Sequence, residues 1–148
     1  MADLRDIYQE VILEHAKAPR NYRALQAPAY KAEGYNPLCG DQCTVYVAMQ
    51  GDVIEDIAFE GSGCAISRAS ASMMTQSMKG KTASEADDLF HAFHRMVTGQ
   101  NGGDHAEIGK LAVFSGIQGF PARVKCATLA WHTLEAALHG GREPVTTE

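Results

Sequence analysis

Leu4, Ile7, Tyr8, Val11 and Ile12 recur at intervals of three and four, the repeat of one helical face. They predict an amphipathic helix over residues 4 to 17, capped by Asp3 and ended by "APRN" at residues 18 to 21. From there to Gly34 the pattern lapses, and Pro28 marks the stretch as a surface loop. At Thr44 the period changes to two. Val45, Val47 and Met49 share one face of "TVYVAM", "QGD" turns the chain, and "VIEDIAFEG" returns as the second strand of an antiparallel hairpin. "EGSGCAIS" predicts another reversal and a short third strand, with Gly61 and Gly63 marking a close backbone approach on either side of Ser62.

Helical patterns follow. Residues 67 to 79, rich in Ala, Ser and Met, suit a helix lying close on a sheet, with Gly80 as its stop. Ser84 is the expected cap of the next, whose Leu89, Phe90, Phe93 and Val97 form an apolar stripe ending at Gly99. "GQNGGDH" reads as a loop, Asp104 as the cap of a short helix through Ile108, Leu111 and Ala112, and "SGIQGF" as its break. Pro121 stands where a first helical residue belongs. Val124, Ala127, Thr128, Trp131, Leu134 and Leu138 then run to a stop at Gly140 and Gly141, and "REPVTTE" reads as a frayed tail. Strands first and helices afterwards predict an α+β fold. Its expected form is a small antiparallel sheet of about three strands, covered on one side by helices, in a single domain spanning residues 1–148.

Composition narrows the function. A chain of 148 residues can bury a core without covalent staples. Thirteen basic side chains against eighteen acidic ones give a net charge of −5, with Lys and Arg scattered, which argues against nucleic acid as a partner. No stretch reaches membrane-spanning length, and Met1 is followed by neither a basic segment nor an apolar run of signal length, so the expected compartment is the cytoplasm. Four cysteines in a reducing compartment point to metal binding or sulfur chemistry more than to disulfides.

Their placement is informative. Cys39 and Asp41 lie two apart in the Pro- and Gly-rich turn "NPLCGDQC", Cys64 just ahead of a helix, and Cys126 near the start of the last helix beside Arg123 and Lys125. Helix N-termini and neighbouring cations favour the thiolate, the form that binds metal and attacks sulfur. Three thiolates and the Asp41 carboxylate make a four-coordinate set that suits Zn2+. The other reading is also open, since unpaired cysteines such as Cys64 and Cys126 are often plain buried side chains. Cys43 opens a strand and reads as packing. His91 and His94 are three apart on one helix, but off its apolar stripe, and read as a solvated face. His15, His105, His132 and His139 show no partner at ligand spacing, and Met73, Met74 and Met78 read as core.

"NPLCGDQ", "GSGCAISRASASMMT" and "PARVKCATLAWHTLEAAL", together with "ILEHAKAPRN" in the first helix, closely resemble the motifs of the SufU branch of the IscU and NifU-like iron-sulfur assembly family. The likeness covers almost the whole chain. Scaffold members of that family carry His before the last cysteine and a Leu-Pro-Pro-Val-Lys segment. Here Lys125 precedes Cys126, "GFPARVK" replaces the segment, and a long stretch separates the second and third cysteines, as in SufU-type proteins. The resemblance implies an α+β fold and a Zn2+ ion held by Cys39, Asp41, Cys64 and Cys126. It also implies a role as sulfur acceptor for a SufS-type cysteine desulfurase, feeding downstream Suf assembly proteins. Cys39 matches the sulfur-accepting cysteine and Arg123 a basic residue of docking or transfer, while Cys43 lies outside the pattern. The chain then acts as second substrate in a two-protein sulfur transfer. The alternative is a scaffold on which the same ligands hold an iron-sulfur cluster.

Overall fold

The computed structural model describes residues 4–26, 30–99, 108–140 and 145–146. The expected caps Asp3 and Asp104, the Leu4 side chain, most of the 99–105 loop, Gly141 and most of the tail lie outside the described residues. In chain order the elements are α1 (Leu4–Lys17), β1 (Tyr30–Asn36), β2 (Asp41–Gln50), β3 (Val53–Ser62), α2 (Ala65–Met78), α3 (Ala83–Val97), a 3-10 segment (Gly109–Ile117), α4 (Pro121–Leu138) and β4 (Val145–Thr146). The fold is α+β.

The sheet has four strands in the order β3-β2-β1-β4. It is mixed, because β1, β2 and β3 pair antiparallel while β4 joins β1 in parallel through Gly34–Val145 and Tyr35–Thr146. Two expectations are corrected here. The third strand of the antiparallel set precedes the hairpin, inside the stretch expected to be a loop, and "EGSGCAIS" makes no reversal, since β3 runs on to Ser62 and the chain passes directly into α2. The strand β1 hid because its inward residues, Ala32, Gly34 and Asn36, are small or polar and give no apolar alternation. Gly34 is needed there. A Cβ at this position would overlap Thr133 Oγ1, so its absence lets α4 lie directly on β1.

Ala32 of β1, Cys43, Val45 and Val47 of β2, and Ile57 and Phe59 of β3 turn inward, and α2 and α4 cover this face. Lys31, Glu33 and Tyr35 remain on the exposed side. Both outer edges are occupied for part of their length. Val145 and Thr146 lie along β1. On β3, Phe59 N donates to Asn21 O and its carbonyl accepts from Arg23 N, while Ile54 N donates to Lys81 O and its carbonyl accepts from Gly80 N.

The helices interlock through small residues. On α2, the buried Ser70 hydroxyl donates to Ala127 O at 2.5 Å and accepts from Trp131 Nε1 at 3.0 Å. The indole stacks on Phe93 of α3 with centroids 4.2 Å apart, and Phe93 meets Phe114 edge to face. Ser72 Oγ accepts from Arg20 N and lies 2.8 Å from His15 Nδ1, joining α1 and the chain after it to α2. Met73, Met74 and Met78 fill the core as expected.

Other boundaries shift slightly. Thr82 caps α3 instead of Ser84, with a reciprocal Thr82–Glu85 capping box. The 3-10 segment continues through Ser115 to Ile117, past the expected start of its break. On α1, Tyr8, Val11 and Ile12 pack on the core, whereas Ile7 is 47% exposed.

Ser70 generates a stability prediction. Ser70→Ala leaves the buried Trp131 N–H without an acceptor, which costs about 1–3 kcal/mol. Urea unfolding is expected to show a lower midpoint at an unchanged slope; an unshifted midpoint would deny Ser70 this role.

Candidate metal centre

Three chain segments meet at one end of the sheet. Asn36 closes β1, Asp41 opens β2, and the two are paired across the hairpin, so residues 37–40 form the tight connection that carries Cys39. Cys39 N donates to Asn36 O at 3.3 Å, and Gly40 takes φ 71°, a conformation that favours glycine. Cys39 is exposed on this turn, while Asp41 below it is buried.

Cys64 is the N-cap of α2, and its sulfur accepts from Ser67 N at 3.5 Å. Its own N–H donates to Asp41 Oδ1 at 2.9 Å, tying the helix start to the carboxylate. Gly63 makes this approach possible, because a Cβ there would overlap Asp41 Oδ1. Cys126 arrives from α4, buried.

The structure brings donor atoms of Cys39, Asp41 and Cys126 within 4.8 Å of one another. Cys64 is not in that mutual set, but touches it through Asp41, and its thiol and that of Cys126 shift each other's ionisation. Ligand atoms around a tetrahedral Zn2+ with sulfur ligands lie roughly 3.7 Å apart. A sulfur- and oxygen-rich cluster on that scale fits a zinc-type ion by its donor chemistry, and Cys39, Asp41 and Cys126, with Cys64 adjoining, would hold it.

The thiols titrate unequally. Hydrogen bonding from Cys126 is the main cause that brings Cys64 down to about 6, helped by the backbone N–H groups of Ser67 and Ile66. Cys126 moves up, through its bond to Cys64, burial, and further bonds to Asp41 and Cys39. This corrects the expectation that Arg123 and Lys125 ease its ionisation. Cys126 is the sixth residue of α4, beyond the first turn where the helix terminus acts, and the Arg123 guanidinium lies over the Phe120 ring, 4.6 Å from its centroid. Cys43 packs in the core, where burial pushes its thiol up to about 12.

Two contributors escaped the sequence reading. Asn36 is fully buried, and its Nδ2 donates to Asp41 Oδ2 at 3.1 Å and to Cys126 Sγ at 3.5 Å. A polar residue just before the Pro of "NPLCGDQ" was the available clue. Gly63 is legible in the sequence as a close approach, but not as the space that admits Asp41.

Comparison with known proteins agrees with this architecture. The family described as NifU-like N terminal domain matches residues 7–127. The zinc-dependent sulfurtransferase SufU of Bacillus subtilis (strain 168) is 42% identical over 134 residues, covering 90% of each chain. The iron-sulfur cluster assembly scaffold protein IscU of Streptococcus pyogenes serotype M1 is 40% identical over 138 residues, 93% of this chain and 86% of that one. A crystal structure from Fervidobacterium islandicum AW-1, described as an iron-sulfur cluster assembly scaffold protein for the SUF system, superposes with a TM-score of 0.85 at 37% identity. It covers 92% of this chain and 99% of the other.

The proton arrangement predicts selective alkylation in metal-free protein. Iodoacetamide is expected to modify Cys64 with a pH midpoint near about 6 and to spare Cys43 until unfolding. Peptide mapping reads both, and early modification of Cys43 would contradict its burial.

Proposed function

Because the chain belongs to the NifU-like N-terminal domain family of iron-sulfur assembly proteins, we propose that it is a zinc-dependent sulfur acceptor for a SufS-type cysteine desulfurase. The observation that carries this reading is the contrast within the cluster. Asp41 and Cys126 are buried, and Cys64, though exposed, is anchored as the N-cap of α2 with its N–H on Asp41, whereas Cys39 sits exposed on a short turn. One ligand is thus free to leave while the others stay.

In this reading Cys39, Asp41, Cys64 and Cys126 hold Zn2+, which supplies a template that keeps the thiolates deprotonated and protected until the partner docks. The Cys39 thiolate then attacks the outer sulfur of the desulfurase persulfide. A new S–S bond forms on Cys39, the enzyme's S–S bond breaks, and the electron pair leaves on the enzyme's cysteine thiolate. Arg123, exposed beside Phe120 in the first turn of α4, meets the incoming negative charge. Leu38 and Phe120, 63% and 51% exposed, offer apolar contact area to the partner.

A second reading draws support from the IscU relatives: the same ligands hold an iron-sulfur cluster during its assembly. Metal content distinguishes the two. Colourless protein with zinc at the thiolate cluster supports sulfur transfer, and a brown reconstituted form that activates an apo-enzyme supports the scaffold.

With desulfurase and cysteine, the protein is expected to raise alanine release and to carry persulfide on Cys39 by mass spectrometry. Cys39→Ala should abolish the rise while the desulfurase keeps its basal rate, and Arg123→Ala should reduce it with the zinc still bound. A Cys39→Ala protein that stimulates like the parent would refute the assignment.

A further inference from the structure

A second group of metal-type donors lies away from the cysteines, where α3 and the end of α4 face each other. Donor atoms of Asp87, Glu135 and His139 lie within 4.8 Å of one another. Each helix contributes a carboxylate paired with an imidazole one turn on. Glu135 Oε2 is 3.2 Å from His139 Nε2, and Asp87 Oδ2 is 3.5 Å from His91 Nε2. The spacing along α4 separates this group from the thiolates: Glu135 lies nine residues beyond Cys126, about 13 Å of helix rise.

The pairing leaves one atom unexplained. Glu135 Oε1 is a buried atom with no donor group of its own, and the carboxylate it belongs to faces that of Asp87 closely enough to share a proton with it. Burial and Asp87 both raise the Glu135 pKa, the mark of negative charge held without enough compensation. A buried anionic oxygen without a donor calls for a proton or a cation. The imidazoles favour a cation. Two carboxylates and neutral imidazole nitrogen form the donor set of a borderline divalent ion, whose charge would cancel both carboxylates.

We propose that Asp87, Glu135 and His139 form a second divalent-cation site of the Zn2+ class, with His91 positioning Asp87 and water completing the coordination. The ion would clip the last turn of α4 to α3, at the opposite end of the helix from Cys126. Neither ligand pair is visible as a site in sequence, because each helix supplies only part of the set and the interface between them completes it.

Equilibrium dialysis of the full chain against micromolar free Zn2+ tests this. The parent is expected to hold one more ion than the thiolate cluster takes. His139→Ala and Glu135→Gln should each lose that ion, while Cys126→Ser loses the other. The His139 side chain is 71% exposed, so its removal does not threaten folding. With Co2+, His139→Ala should lose weak visible bands and keep the strong near-ultraviolet thiolate bands. Equal stoichiometry in His139→Ala and parent would overturn the proposal. So would an absent second ion in the parent, and stability that rises as pH falls through the raised Glu135 pKa would then identify a shared proton as what fills the gap.

Discussion

A carboxylate buried where the first two strands meet must be fully paired, and the Asp41 carboxylate organises everything around it. Asn36 reaches it from the end of β1, the Cys64 N–H from the start of α2, and Asp41 itself begins β2. Because Asn36 also contacts the Cys126 sulfur, the same small network extends to α4. Taking a carboxylate out of water is costly unless hydrogen bonds or a cation compensate it. The protein supplies the hydrogen bonds from backbone and amide and surrounds the remaining oxygen surface with sulfur. The metal-type cluster is therefore a structural junction as well as a chemical centre.

The position of Cys126 is set at some distance from it. On α4, Thr133 lies against the bare backbone of Gly34, and Trp131 is held between Ser70 and Phe93. These contacts leave the helix little freedom to slide or rotate, so its sulfur is presented to the hairpin as part of a packed core. Cys39 differs in kind. It lies on the turn between β1 and β2, and it alone among the three mutually close donors is exposed. Two buried donors beside an exposed one are what the proposed detachment of a single sulfur would require.

Much of this was legible in the chain itself. The helical repeats located α1, α2, α3 and α4 to within a few residues, and the alternation around "QGD" located the β2–β3 hairpin. The α+β class followed from their order. Strand β1 was missed because an inward Ala-Gly-Asn series lacks the apolar alternation that marks a strand, and its reason for being small lies on α4, a hundred residues away in sequence. Strand β4 was missed because two residues carry no periodicity. The cysteine motifs pointed to the pocket, whereas Asn36 and Gly63 entered only through contacts between segments. The Asp87–Glu135–His139 group was invisible for the same reason: His139 has no histidine at ligand spacing, and its neighbours come from another helix.

The occupied rims of the sheet carry a consequence for behaviour in solution. An open strand rim presents unpaired backbone groups that can recruit another chain and seed fibrils. Here the backbone around Asn21, Arg23 and Lys81 satisfies part of β3, and the Val145–Thr146 segment lies along β1. None of these contacts is made by Cys39, Asp41, Cys64 or Cys126, so the rims are covered independently of what the thiolate cluster holds.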